Sequence, residues 1–160
     1  MLKFFFLSVF VFMFSFSANA QEKYGDWTLL CVENKSKCGI YQRISMNDKK
    51  GKVIGKLVDV TIEKVSKSFQ IGVRAPLNSD LRKGLFLGID GADPFRLAYV
   101  RCQKDGCLAL ATLDEKWITN LSRGNKLNVI IPIFQNKKTL KVDISLKGFT
   151  KAIKRVIPNQ

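Results

Sequence analysis

FRLAYVRCQKDGCLALATL, residues 95–113, holds two apolar-rich, β-like runs separated by a short polar segment with a cysteine on each flank. Asp105-Gly106 inside that segment is a strong turn signal. If Gln103 to Gly106 form a four-residue loop, Cys102 and Cys107 face each other across a hairpin, with Cα atoms near the ~5.5 Å that a disulfide takes. The same logic recurs upstream: DWTLLCV (26–32) is a strand, Glu33 to Lys37 a polar loop, and CGIYQRIS (38–45) the returning strand. Four cysteines allow three connectivities, and sequence distance favours Cys31 with Cys38 and Cys102 with Cys107.

A four-cysteine zinc site fits this pattern less well. Structural zinc pairs are usually separated by about two to four residues, whereas six lie between Cys31 and Cys38, and the chain has no histidine to assist. Thiol redox catalysis typically uses Cys-x-x-Cys, a spacing absent here. Scaffold disulfides remain, each expected to add about 2–3 kcal/mol by constraining the unfolded chain.

The start of the chain favours oxidised cysteines. MLKFFFLSVFVFMFSFSANA (1–20) has an early Lys3, an apolar stretch from Phe4 to Phe16 and a small-x-small end at Ala18-Asn19-Ala20. This is the layout of a secretory signal peptide cut after Ala20. The stretch is shorter than the roughly 18–20 residues of a spanning helix, and no cysteine follows Ala20 to carry a lipid. A single exported domain, 21–160, is therefore expected, in a compartment where disulfides persist: periplasm, cell envelope or outside the cell.

Net charge is +14, with Lys outnumbering Arg by about three to one. Removing the leader takes away Lys3 and leaves the balance near +13. Such a field attracts lipid headgroups, lipopolysaccharide or acidic glycans; an anionic envelope component or an envelope protein is the expected partner, and no nucleic-acid partner is expected. A compositional bias toward lysine explains the same charge without any partner.

The remaining chain continues in short strands. KVIGKLVDVTIEKV (52–65) alternates with a slip between Gly55 and Val58 that marks a bulge, and SFQIGVRA (68–75) ends before Pro76. After a loop at 77–84 come LFLGID (85–90), FRLAYVR (95–101) and LALATL (108–113). Asp114 as N-cap and Gly124 as stop bracket a short helix. LNVIIPIF (127–134), where Pro132 implies an edge or a break, and LKVDISL (140–146) complete the strands. In GFTKAIKRVI, Phe149, Ala152, Ile153, Val156 and Ile157 fall at helical spacing. Such a helix either docks on its own core, the commoner case, or lays Lys147, Lys151, Lys154 and Arg155 on an anionic membrane surface. Many short strands and one or two helices predict an all-β, antiparallel β-sandwich.

Catalytic chemistry has few footholds. Without histidine there is no Ser-His-Asp triad, no Cys-His pair and no His-ligated metal. Asp90 and Asp93 in GIDGADP are the nearest carboxylate pair for glycoside chemistry, but their Gly and Pro neighbours suit turn formers. No calcium loop is present, and no cofactor is expected. Trp27 and Trp117 are expected in the core, Trp27 near the first disulfide. Asn34-Lys35-Ser36 and Asn120-Leu121-Ser122 match the weak glycosylation pattern.

The order of these features resembles the invasion-associated locus B family of bacterial exported proteins. The likeness runs through the leader, Tyr24-Gly25-Asp26-Trp27, Cys31, Cys38 followed by Tyr41-Gln42, GLFLGIDG, CQKDGC and SLKGFTKAI, nearly all of the mature chain. It implies a periplasmic or envelope-associated sandwich, immunoglobulin-like in architecture and without enzyme activity. The family name reflects host-cell invasion by a pathogenic member. The quoted motifs imply scaffold, and fold transfers better than function.

Overall fold

In the computed structural model, which describes residues 21–32, 37–92, 94–135 and 137–156, the chain forms eleven strands and two helices among those residues. The strands are β1 (Lys23–Tyr24), β2 (Trp27–Val32), β3 (Lys37–Asn47), β4 (Val53–Val65), β5 (Ser68–Ala75), β6 (Leu85–Ile89), β7 (Phe95–Leu97), β8 (Tyr99–Gln103), β9 (Gly106–Leu113), β10 (Lys126–Pro132) and β11 (Thr139–Ser145). Helices α1 (Glu115–Arg123) and α2 (Phe149–Val156) precede and follow the last hairpin. A seven-stranded sheet runs β1-β2-β3-β4-β5-β9-β8, and a four-stranded sheet runs β11-β10-β6-β7. Both are antiparallel, and alternate residues from each, such as Val58, Val60 and Ile62 from β4 and Leu127, Val129 and Ile131 from β10, enter one buried core.

Both disulfides join facing residues of a hairpin, Cys31 with Cys38 and Cys102 with Cys107. Their Cα atoms are 4.1 Å and 3.9 Å apart, less than the expected spacing and nearer the ~4.5 Å of a non-hydrogen-bonded antiparallel pair. The second turn is also tighter than the four-residue loop expected: Gln103 pairs with Gly106, leaving Lys104 and Asp105 as the turn. Gly106 adopts φ 130°, and a Cβ there would lie 2.5 Å from the Ala75 carbonyl oxygen of the neighbouring strand. The two bridges sit on opposite flanks of the seven-stranded sheet.

One local expectation changes in the structure, and two take definite form. FRLAYVR is not one strand: Leu97 pairs with Leu85 in the smaller sheet and Tyr99 with Ala109 in the larger, so the chain changes sheets at Ala98. Local sequence does not reveal such a corner, because apolar residues continue on both sides of Ala98. β10 is central in its sheet, so Pro132 marks a break, ending the strand where its register closes on Thr139. The slip expected between Gly55 and Val58 falls at Leu57, which the pairing of Ile44 with Val58 and Ser45 with Lys56 skips; a second irregularity skips Ile54.

Trp27 is fully buried at the start of β2, and the ring it meets edge-on is Phe149 of α2, 5.4 Å away. Its indole N–H donates to the Ser145 carbonyl at 2.9 Å. Buried Gln42 completes the junction: its Nε2 donates to the carbonyls of Asp26 (3.0 Å) and Ser145 (3.1 Å), and its Oε1 accepts from the Ser145 N–H (3.0 Å). Beside it two glycines pass back to back. A Cβ on Gly148 (φ 85°) would fall on the Tyr24 carbonyl, and one on Gly25 (φ 59°) on that of Lys147.

Gly148→Ala is expected to cost about 2–4 kcal/mol in urea unfolding, whereas Gly51→Ala, at φ 81° in open space, should cost about 1 kcal/mol. Equal losses would show that close approach at Gly148 contributes nothing. Replacing each cysteine pair by serine should cost about 2–3 kcal/mol, and removing both should cost the sum, since they staple opposite flanks of the sheet.

Candidate functional site

The C-terminal basic segment takes the docked form. α2 buries Phe149, Ala152, Ile153 and Val156 and packs on β1, β2, β3 and α1, while Thr150 Oγ1 donates to the Ser122 carbonyl at 3.0 Å. Lys147, Lys151, Lys154 and Arg155 remain exposed on the outer side. Lys147 and Lys151 border a shallow groove of about 370 Å³ with Gly25, Gly148 and Thr150, whereas Arg155 reaches Glu22 at 3.6 Å. Glu22 in turn accepts a 2.6 Å hydrogen bond from Tyr24, which is the main cause that raises the Tyr24 pKa.

Asp90 leaves β6 at φ 51° and turns its carboxylate onto the start of β10. It accepts the backbone N–H groups of Asn125 (2.9 Å) and Lys126 (2.8 Å), which hold its pKa below the ordinary carboxylate range. This is the turn-forming role. The second carboxylate expected, Asp93, lies outside the described residues. A different acid, Asp143, stands near the same turn; it accepts from Asn128 (2.9 Å) and Lys126 Nζ (3.0 Å), and these bonds lower its pKa as well. Glycoside hydrolysis by two carboxylates calls for one with a raised pKa, whereas the hydrogen bonds to both of these lower theirs. Among the described residues no group of three or more His, Cys, Asp or Glu side chains could hold a metal ion. Of the two glycosylation patterns, Asn34-Lys35-Ser36 lies outside the described residues, apart from which Leu121 of the second is buried inside α1.

The feature that sequence reading passes over is the 77–84 loop. Leu77 and Leu81 are 59% and 49% exposed, and Phe134, just past β10, is 60% exposed. With Asn78, Ser79, Asp80, Arg82 and Gln135 they border a hollow of about 380 Å³, and the Arg82 guanidinium lies 5.9 Å from the centre of the Phe134 ring. These side chains stand on a fixed backbone. Asp80 N–H donates to the Pro132 carbonyl (2.8 Å), Phe134 N–H to Asn78 (2.9 Å), Ser79 Oγ to Pro76 (2.6 Å), and the Arg96 guanidinium to the carbonyls of Lys83 (2.6 Å) and Arg82 (2.8 Å). Beside the loop the Tyr99 hydroxyl is buried with no hydrogen-bond partner among the described residues. Burial is the main cause that raises its pKa, and the Asp80 charge adds to it. The sequence signal was present in two leucines within a polar loop and a phenylalanine beyond a strand-ending proline, but nothing local joins segments 77–82 and 134–135.

Residues 27–157 match the family described as Invasion associated locus B (IalB) protein. The chain belongs to the invasion-associated locus B family. Two relatives, each named an invasion protein B homolog, from Brucella abortus strain 2308 and Brucella abortus biovar 1 strain 9-941, are each 28% identical over 141 residues, covering 88% of this chain and 80% of theirs. Among solved structures, the invasion associated protein B of Bartonella henselae superposes with a TM-score of 0.72 at 18% identity, over 85% of this chain and 94% of that one; at this identity the likeness concerns the fold. The stretches on which the resemblance rests fall on the frame of the protein: Tyr24 to Trp27, Gln42 and Ser145 to Phe149 make the junction between the sheets, GLFLGIDG carries β6 and the Asp90 turn, and CQKDGC closes the β8–β9 hairpin. None of Leu77, Leu81 and Phe134 lies in those motifs.

Because Asp90 is more acidic in the folded state than the roughly 3.9 of an unfolded aspartate, its contribution is complete above that pH and fades as the pH falls through its lower folded value. Asp90→Asn should therefore melt below the wild type at pH 7, with the gap closing in acid. A gap that stays constant from pH 7 to pH 2 would contradict this role.

Proposed function

We propose that this chain is an exported, non-enzymatic binding protein of the cell envelope, and that the hollow between the 77–84 loop and Phe134 is its docking site. The observation that carries this reading is a large apolar surface held rigid and facing solvent: three well-exposed large side chains on a backbone whose hydrogen bonds are already made. A preorganised apolar surface loses little conformational freedom on binding, which favours affinity. Arg82 and Asp80 line it, and exposed Lys83 and Lys137 lie within two residues of its lining along the chain, so the fitting partner is a protein segment with an apolar or aromatic anchor and an acidic side chain for Arg82. The leader and the disulfides support a place in the envelope, where mature protein should begin at Gln21. The Brucella and Bartonella relatives are named for invasion, which agrees with contact work rather than turnover.

A photo-crosslinking residue placed at Leu81 or Phe134 in the protein expressed in its own cells should yield a discrete adduct at salt high enough to remove charge-only binding, and the same residue at exposed Lys64 should not. Arg82→Glu should weaken the adduct several-fold. Adducts of equal yield from all three positions would overturn the assignment.

A further inference from the structure

We propose that the far end of the β3–β4 hairpin is a membrane-contacting arm that seats among the headgroups of an anionic phospholipid bilayer. β3 and β4 outrun their neighbours. β2 covers β3 only as far as Tyr41, and β5 covers β4 only from Asp59 onward, so from Ile44 and Val58 to the tip the two strands pair only with each other. Two irregularities, at Leu57 and Ile54, fall within this overhang, and bulges of this kind bend a hairpin away from its sheet.

The overhang carries the side chains of an interfacial element. Val53 and Ile54 are 61% and 62% exposed and Met46 is 42% exposed, an aliphatic tip with no core beneath it. Around them are Lys49, Lys50 and Lys52, all exposed, and none makes an ion pair among the described residues. The one acid of the turn faces its backbone instead of an ammonium group: Asp48 Oδ1 accepts the backbone N–H groups of Lys50 (2.8 Å) and Lys52 (2.9 Å), and the turn keeps a net positive charge. Its backbone N–H donates to the Lys52 carbonyl (2.9 Å), and its carbonyl accepts from Gly51 (3.0 Å), so the lysines sit on a shaped turn, with Met46 on the strand entering it and Val53 and Ile54 on the strand leaving it.

Charge chooses the occupant. A second copy would oppose one net positive turn, three lysines against one aspartate, with another, and like charges in contact are repelled. An anionic bilayer satisfies both halves of the tip at once, with phosphates meeting the ammonium groups and the acyl boundary receiving Val53, Ile54 and Met46. Three side chains bury too little for permanent insertion, so the contact is peripheral and reversible. It is independent of the Phe134 hollow, which lies on other segments, and would leave that site open to a protein partner.

The test uses mature, oxidised protein and vesicles of phosphatidylglycerol with phosphatidylethanolamine, against vesicles of phosphatidylcholine alone. The protein should sediment with the anionic vesicles, and brominated acyl chains should quench an indole introduced by Ile54→Trp. Lys49→Gln/Lys50→Gln/Lys52→Gln should weaken partition about a hundredfold at low salt. Val53→Asn/Ile54→Asn, which leaves the net charge unchanged, should weaken it at least about tenfold with an unaltered melting temperature. Partition that survives both sets of substitutions would place lipid binding on another face and overturn the proposal. So would absence of quenching in sedimented protein, or no preference for anionic over neutral vesicles.

Discussion

The bidentate grip of Gln42 on Ser145 is the constraint on which the rest of the architecture depends. A seven-stranded and a four-stranded sheet need a lateral closure where β2 and β3 approach the end of β11, and the backbone groups there have no ladder to join. Gln42 supplies from one side chain what a strand partner would supply from its backbone: a carbonyl oxygen for the Ser145 N–H and an amide for the Ser145 and Asp26 carbonyls. Trp27 adds its indole N–H to the same Ser145 carbonyl and its ring to Phe149. Buried polar groups are costly unless paired, so a site this well satisfied holds its members to one geometry.

From that closure follows the placement of α2. The Gly25–Gly148 crossing lets the two chain segments touch, and Asp26 N–H donates to the Lys147 carbonyl at 3.0 Å. The helix then drops Phe149 onto Trp27, which explains why a basic amphipathic segment is docked with its apolar face inward instead of being left for a membrane. Lys147, Lys151 and Lys154 are consequently the outer side of a core helix. The surfaces with apolar side chains free for contact lie elsewhere, on the 77–84 loop and at the tip of the β3–β4 hairpin.

Short-range chemistry was legible in the sequence. Cysteines seven and five residues apart imply hairpin staples and form them, Asp114 caps α1 by accepting the Trp117 N–H at 2.8 Å, and Gly124 ends it. Asp90 is a turn former as its Gly-rich setting implied, although its partners, Asn125 and Lys126, lie 35 and 36 residues away and carry no local signal. What could not be read are features made by distant segments meeting. Gln42 looks like any polar residue of a strand, Ala98 like the middle of one, and Phe134 like the end of another. Leu77, Leu81 and Phe134 become a site only when Asp80 N–H finds the Pro132 carbonyl and Phe134 N–H finds Asn78. The resemblance stated from motifs located the frame of the molecule, because those motifs are where the frame is built.

The closure is tested most directly by equilibrium urea unfolding of oxidised Gln42→Met, a substitution that keeps side-chain length while removing every hydrogen bond. It leaves the part-buried Ser145 N–H and the Asp26 carbonyl without this partner, and a loss of about 2 kcal/mol is expected, with both disulfides intact. A loss below about 0.5 kcal/mol, the scale of an ordinary surface change, would contradict the claim that this residue closes the sandwich.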